Sequence, residues 1–456
     1  MFKLRVRFRN SRTDVLHLDE RDSSLRVGFE PQRGNGAMRT TSRINIVASC
    51  LIFTFSFLTY LSAGDSEGGL DARIQLIPIV LLTCFVLVQV MFSKRWPKHA
   101  SLFIGEGSLV LWLVPIFTLV ASLQSNYEKS PQYWIVNAGV LLLARLFVAR
   151  VALREILLGY FWAGVSCIIL LLMLAWQSLL GAVQTLSKFT DYYGFHPNTL
   201  AFALGSFGVA SIWQFVVASG LKKILAAVTV LFCLAITFLA ASRGSLVAIA
   251  MGATVIGAMY CVRKGQIRSF AVVLAGLVFC FWLIVRSDAF GSAFDYTETY
   301  LQLTNSGRGI DSGMSGRLDE WRTISLYLGR GSWLYGNGVR AADALLYPVD
   351  NGFLVLLYDM GILPVLLITG RFAVIVYRLA RNYLSLGRDL ELVSLFLVLV
   401  FLLNNIVARY LFGVGNPFSL LMLMFLVGTW TTHPYRQTTY LSFKPATTSG
   451  IGTASA

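Results

Sequence analysis

Charge is scarce in this chain. Asp, Glu, Lys and Arg supply 13% of its 456 residues, against about 25% in an ordinary soluble protein. Hydrophobic residues supply 56%, and mean hydropathy is +0.67. That balance excludes a typical water-soluble domain and indicates a polytopic membrane protein. Acidic residues are the scarcest charges, 23 against 38 Lys and Arg, for a net charge of +15. The excess does not imply nucleic acid as a partner, because the basic residues stand mostly in short loops beside apolar runs. That placement is the positive-inside pattern of membrane proteins. Cysteine is sparse as well. Cys50, Cys84, Cys167, Cys233, Cys261 and Cys280 all fall in or at the ends of apolar runs, with no C-x-x-C spacing. Neither a structural disulfide nor a thiolate metal site is expected. With four histidines and none paired near His196, no zinc site is expected either.

The chain also lacks the short basic head and small-residue cleavage site of a signal peptide. Its first apolar run starts near Ile44, after a polar stretch with ten Lys and Arg. Residues 1–42 therefore read as a poorly ordered cytoplasmic tail, and the Thr/Ser/Gly-rich residues 433–456 as another. No internal repeat divides the chain into similar halves, which argues against a transporter built from two six-helix units.

A helix needs about twenty apolar residues to cross a bilayer. Runs of that kind lie near 44–63, 74–93, 103–123, 132–149, 156–180, 198–218, 223–241, 245–262, 269–286, 352–371, 390–411 and 416–432. The expectation is an all-α bundle of about twelve transmembrane helices. About nine fall in residues 43–286 and about three in 351–432, with a long polar loop between the ninth and tenth at 287–350. Arg145 inside the fourth run and the shortness of the twelfth make these two the weakest members. Loops carrying Lys94, Arg95 and Lys98, then Arg150 and Arg154, Lys222 and Lys223, Arg263, Lys264 and Arg268, and Arg378, Arg381 and Arg388 alternate with less basic ones. The alternation puts both termini in the cytoplasm and residues 287–350 outside.

The informative residues break that alternation. The outer loop holds Arg308, Arg317, Arg322, Arg330 and Arg340 and no lysine. Arginine's planar fork suits bidentate grip on phosphate. Arg243, in the turn Ser242-Arg243-Gly244, and Arg409, at the end of the eleventh span, fall on the same outer side. A lone interfacial arginine also snorkels to lipid headgroups, so Arg243 has a structural reading beside the functional one. Residues Arg317 to Leu328 have helical periodicity, with Leu318, Trp321, Ile324 and Leu328 on one side, as in a helix lying on the membrane. Asp350-Asn351 reads either as a helix cap or as an outward carboxylate beside the arginines. Asp359, deeper in the same run, is a candidate because carboxylates inside membranes are costly. His196-Pro197-Asn198 opens the sixth span. Pro197 suits a first helical turn, and His196 is either a general base or a headgroup neighbour.

In this order the motifs resemble the bacterial O-antigen ligase and polymerase superfamily over residues 190–412. They are Gly194-Phe195-His196-Pro197-Asn198, Ser242-Arg243-Gly244, Ser315-Gly316-Arg317 with Trp321, Leu334-Tyr335-Gly336-Asn337-Gly338, and Asp350-Asn351-Gly352 ahead of Tyr358-Asp359-Met360-Gly361. The resemblance implies an inner-membrane glycosyltransferase with a periplasmic active site, acting without metal or other cofactor. Donor and acceptor would be undecaprenyl-diphosphate-linked glycans in the membrane lipid, and a chain-length regulator would be a further partner. By motif, Arg243 and Arg317 would hold the diphosphate, with Arg322 and Arg409 as further candidates and His196 and Asn351 beside the substrate. Ligases of the superfamily carry His-Asn where this chain has Asp350-Asn351. An aspartate is a weaker base than histidine near neutrality, so the resemblance leans toward a polymerase, with Asp350 positioning or deprotonating the acceptor hydroxyl. An O-antigen ligase passing glycan to lipid A core is the alternative, and a lipid-linked sugar transporter a more distant one.

Overall fold

The computed structural model describes residues 35–62, 76–92, 107–185, 197–240, 242–286, 317–328, 333–345, 349–408 and 416–428. Residues 1–34, the expected C-terminal tail, His196, Arg308, Arg330 and Arg409 lie outside these residues, whereas residues 35–42, expected as the end of the N-terminal tail, are helical. Among the described residues the fold is all-helical, without a strand. The helices are α1 (Asn35–Ser62), α2 (Ile77–Phe92), α3 (Ser108–Leu123), α4 (Ser130–Val148), α5 (Leu153–Thr185), α6 (Pro197–Val217), α7 (Leu221–Leu239), α8 (Arg243–Arg263) and α9 (Ile267–Arg286). After the polar segment come α10 (Arg317–Tyr327), α11 (Gly352–Met360), α12 (Ile362–Leu386), α13 (Asp389–Asn404) and α14 (Pro417–Val427).

Among the described residues, seven helices are long and apolar enough to cross a membrane: those at α1, α4, α5, α6, α7, α8 and α12. Their outward faces stay apolar. Met173 of α5 and Leu221 and Leu231 of α7 are each at least two-thirds exposed, an arrangement water would oppose and lipid tails accept. The chain is a membrane protein. Its centre is aromatic: Phe202 of α6, Phe401 of α13 and Phe418 of α14 form a triangle with ring centroids 4.9–5.9 Å apart.

Two of the apolar runs fold differently from simple spans. Run 352–371 breaks at Gly361, whose φ of +81° separates α11 from α12. A Cβ on Gly361 would meet Leu334 O at 2.5 Å, and one on Gly336 (φ +80°) would run into Asp359 O. Two glycines therefore let residues 333–338 lie directly on the α11–α12 junction. Asn337 and Gly338 donate their N–H groups to Tyr358 O and Asp359 O at 2.8 and 2.9 Å, and Ile362 N–H reaches Trp333 O at 2.9 Å.

Run 416–432 contains α14, only 11 residues long and buried at every position. At 1.5 Å per residue it covers about 16 Å, roughly half a hydrocarbon core. A short helix in a dry interior must satisfy its own ends. Asn416 Oδ1 accepts from the N–H groups of Phe418 and Ser419 at the start. At the other end Arg145 Nη1 donates to Val427 O at 2.7 Å. Arg371 donates to Leu426 O and Gly428 O at 3.2 and 2.7 Å. The two weakest runs thus account for one another: the arginine inside α4 closes the end of the short helix. Cationic groups also suit the negative pole of a helix C-terminus. Replacing Arg145 by Leu strands a buried carbonyl, and about 1–3 kcal/mol of stability should go with it. Thermal unfolding in detergent reads this directly, and an unchanged midpoint would refute the capping role.

Candidate functional site

Two motifs meet around the end of α13. Residues 404–408 turn there after the last helical residue, Asn404. Asn404 Nδ2 donates to Ser245 Oγ at 3.1 Å, and Ser245 Oγ also accepts from Ser242 Oγ at 3.1 Å. This ties the Ser242-Arg243-Gly244 corner to α13. Gly244 lets the corner approach, since a Cβ there would sit 2.6 Å from Val407 Cγ2. Arg243 is the first residue of α8 and half-buried. On the other side of the same turn, Gly352 N–H is shared between Asn405 O and Ala408 O at 2.8 Å each. The Arg243 corner and the Asp350-Asn351-Gly352 motif, over one hundred residues apart, therefore brace against one five-residue turn. Arg409 follows that turn directly in sequence.

Asp350 and Asn351 divide the two roles read for them. Asn351 caps α11, its Oδ1 accepting from Phe353 and Leu354 N–H at 3.0 Å each. Asp350 stays free of capping and instead faces α10. Its Oδ2 lies 3.5 Å from Arg317 Nη2, with the carboxylate about a third exposed and the guanidinium less so. Glu320 Oε2 accepts from Asp350 N–H at 3.2 Å, a second tie between α10 and the start of α11. Arg317 Nε is buried without a hydrogen-bond partner among the described residues. Arg322 is exposed on the opposite flank of α10. The expected apolar side of this helix is partly used: Ile324 and Leu328 are buried, whereas Leu318 is half exposed.

The far end of α11 has a different character. Asp359 is buried, and its two carboxylate oxygens accept from Arg340 N–H (3.1 Å) and Ala342 N–H (2.8 Å). Sequence reasoning marked Asp359 as a functional candidate; both its oxygens are used in holding the 340–342 turn. Arg340 is the only non-glycine residue with positive φ (+63°) among the described residues, a backbone state that costs a side-chain-bearing residue about 1–2 kcal/mol. Its side chain is fixed too. Arg340 Nε pairs with Asp343 Oδ2 at 2.7 Å, and the guanidinium lies 4.4 Å from the Tyr133 ring centre. Tyr133 in turn stacks on Tyr127, centroids 6.2 Å apart. Burial, then Tyr133 and Asp343, push the Tyr127 phenol above its usual pKa of 10, so it stays neutral. Arg340 is thus spent on local structure, unlike Arg317. Its positive φ and the Tyr127–Tyr133 stack left no signal that sequence reasoning used.

Among the described residues no group of three His, Cys, Asp or Glu converges as metal ligands. No protein-family model matches the chain, and no curated protein does either.

Two outcomes test this geometry. Asp359→Ala leaves two buried N–H groups unpaired, so stability should fall by about 1–3 kcal/mol and protease should cut within 333–345 sooner; resistance equal to wild type would contradict the anchoring role. A double-mutant cycle on Arg317 and Asp350 should give a stability coupling below about 1 kcal/mol, because the pair is long and partly exposed. A larger coupling would make the pair a structural clamp.

Proposed function

We propose that this protein is an inner-membrane glycosyltransferase that polymerises undecaprenyl-diphosphate-linked repeat units on the periplasmic face, with both termini cytoplasmic. The observation that supports it most is the loose Arg317–Asp350 pair, braced against the same turn as Arg243. A diphosphate entering between the arginines competes with Asp350 for Arg317, whose buried Nε has a donor to spare. As Arg317 swings to the phosphate, the carboxylate is released to accept a hydroxyl hydrogen.

Chemistry follows from that exchange. The bond between the donor's anomeric carbon and the diphosphate oxygen breaks, building positive charge on the sugar and negative charge on the leaving group. Arg243 and Arg317 stabilise the leaving diphosphate as its charge develops. The acceptor hydroxyl oxygen forms the new glycosidic bond while its proton passes to Asp350. Arg322 and, by sequence position, Arg409 and His196 supply the outer ring of the site, and Asn351 holds the helix start that aims Asp350.

The test is purified protein incubated with a lipid-linked repeat unit alone, with products resolved on a gel. A ladder is expected, reduced about 100-fold or more in Arg243→Ala and Arg317→Ala. Arg317→Lys should restore only part, since a point charge replaces a fork. Ladders of full length from both alanine variants would defeat the mechanism. Product formed only after lipid A core is added would make the enzyme a ligase, and movement of lipid-linked sugar across vesicles without a new bond would make it a transporter.

A further inference from the structure

A cavity of about 600 Å³ opens beside the far end of α11, within the ~300–1,000 Å³ range of small-molecule sites. It lies between the end of α3 with its following loop and residues 335–345. Its lining brings together three phenols, Tyr127, Tyr335 and Tyr358, and three amides, Gln124, Asn126 and Asn337. Among the described residues no charged side chain lines it. Arg340, next in sequence to the lining residue Ala341, is already paired with Asp343 and stacked on Tyr133. Tyr335, Gln124 and Asn126 are exposed at the rim, whereas Asn337 Nδ2 is held by Tyr358 O at 3.0 Å.

Flat aromatic faces with a polar edge suit the C–H faces of a sugar ring, and amides both donate to and accept from hydroxyls. A phosphate would find no cation among the described lining residues, and an aliphatic tail would make no use of the phenol hydroxyls and rim amides. We propose that this cavity is a binding subsite for an uncharged sugar residue of the glycan, separate from the Arg317–Asp350 end of α11. The helix from Gly352 to Tyr358 alone sets the two apart by about 9 Å. The assignment of the sugar to a lipid-linked glycan rests on the transferase reading. The subsite fixes where a glycan chain runs once its diphosphate is gripped, and it favours neutral sugars over uronic acids. The 336–342 turn is what shapes the wall, so the strained Arg340 backbone and the Asp359 anchor gain a purpose beyond packing.

The experiment is saturation binding of the free neutral oligosaccharide, released by mild acid from the cell's lipid-linked pool, to full-length protein in lipid nanodiscs. Wild type and Arg317→Ala should bind it equally. The double variant Tyr335→Ala/Gln124→Ala should bind at least tenfold more weakly, and Ala344→Trp, which fills the cavity while removing no polar group, should do the same. In the transfer assay both pocket variants should raise KM more than they lower kcat. The proposal is overturned if wild type shows no saturable binding up to millimolar sugar, if both pocket variants bind as wild type does, or if Arg317→Ala abolishes binding. Retained binding with no transfer by wild type would defeat the transferase reading and leave the subsite standing.

Discussion

Everything in this bundle depends on satisfying backbone groups where no water can reach them. The clearest case is the end of α14, where Leu426, Val427 and Gly428 carbonyls point into a dry centre and receive Arg145 and Arg371. Those bonds hold α4, α12 and α14 at one locus. With α14 fixed, Phe418 completes the aromatic triangle with α6 and α13. The position of α13 in turn sets where its terminal turn, residues 404–408, meets the Arg243 corner and the start of α11. A charge buried in α4 thus reaches the candidate site through packing alone.

The same rule shapes α11. A nine-residue helix cannot stand by itself in a membrane, because its ends leave unsatisfied groups at both poles. Asn351 closes one pole. At the other, the 336–342 turn donates to Tyr358 and Asp359 carbonyls and to the Asp359 carboxylate. The polar loop is therefore drawn back onto the bundle, and α10 is brought within reach of Asp350. Capping and site assembly are one event here: the groups that terminate the helix also position the residues that face outward.

Much of this was legible in the sequence, for physical reasons. Long apolar runs between charged loops marked α1 and α4 to α8, since lipid exposure and helix length leave a plain compositional trace. Asn351 and Asp350 were readable as a cap and a carboxylate, and each took one role. What escaped depended on distant partners. Nothing local to Arg145 says that it caps a helix 282 residues away, and nothing local to Asp359 says that both its oxygens serve a loop. Gly361 and Gly336 offered a usable hint, because paired glycines in an otherwise apolar region signal close backbone contact. Even so, the seven apolar residues from Ile362 to Ile368 outweighed it and hid the α11–α12 break.

The distribution of charge between the two ends of α11 carries a further consequence. Arg317, its buried Nε without a hydrogen-bond partner among the described residues, stands where α10 meets Asp350, whereas Arg340, at the opposite end, is neutralised by Asp343 and stacked on tyrosine. An anion entering from the membrane surface is drawn to the first end and has no electrostatic reason to visit the second. A neutral polyol has the opposite preference, because it gains nothing from a desolvated guanidinium but fits phenols and amides. A molecule with a charged head and a neutral body therefore has one favourable orientation along α11, with its charge at Arg317 and its body toward Tyr335. Orientation of that kind is set before any chemistry, and it would decide which end of a long substrate is presented to Asp350.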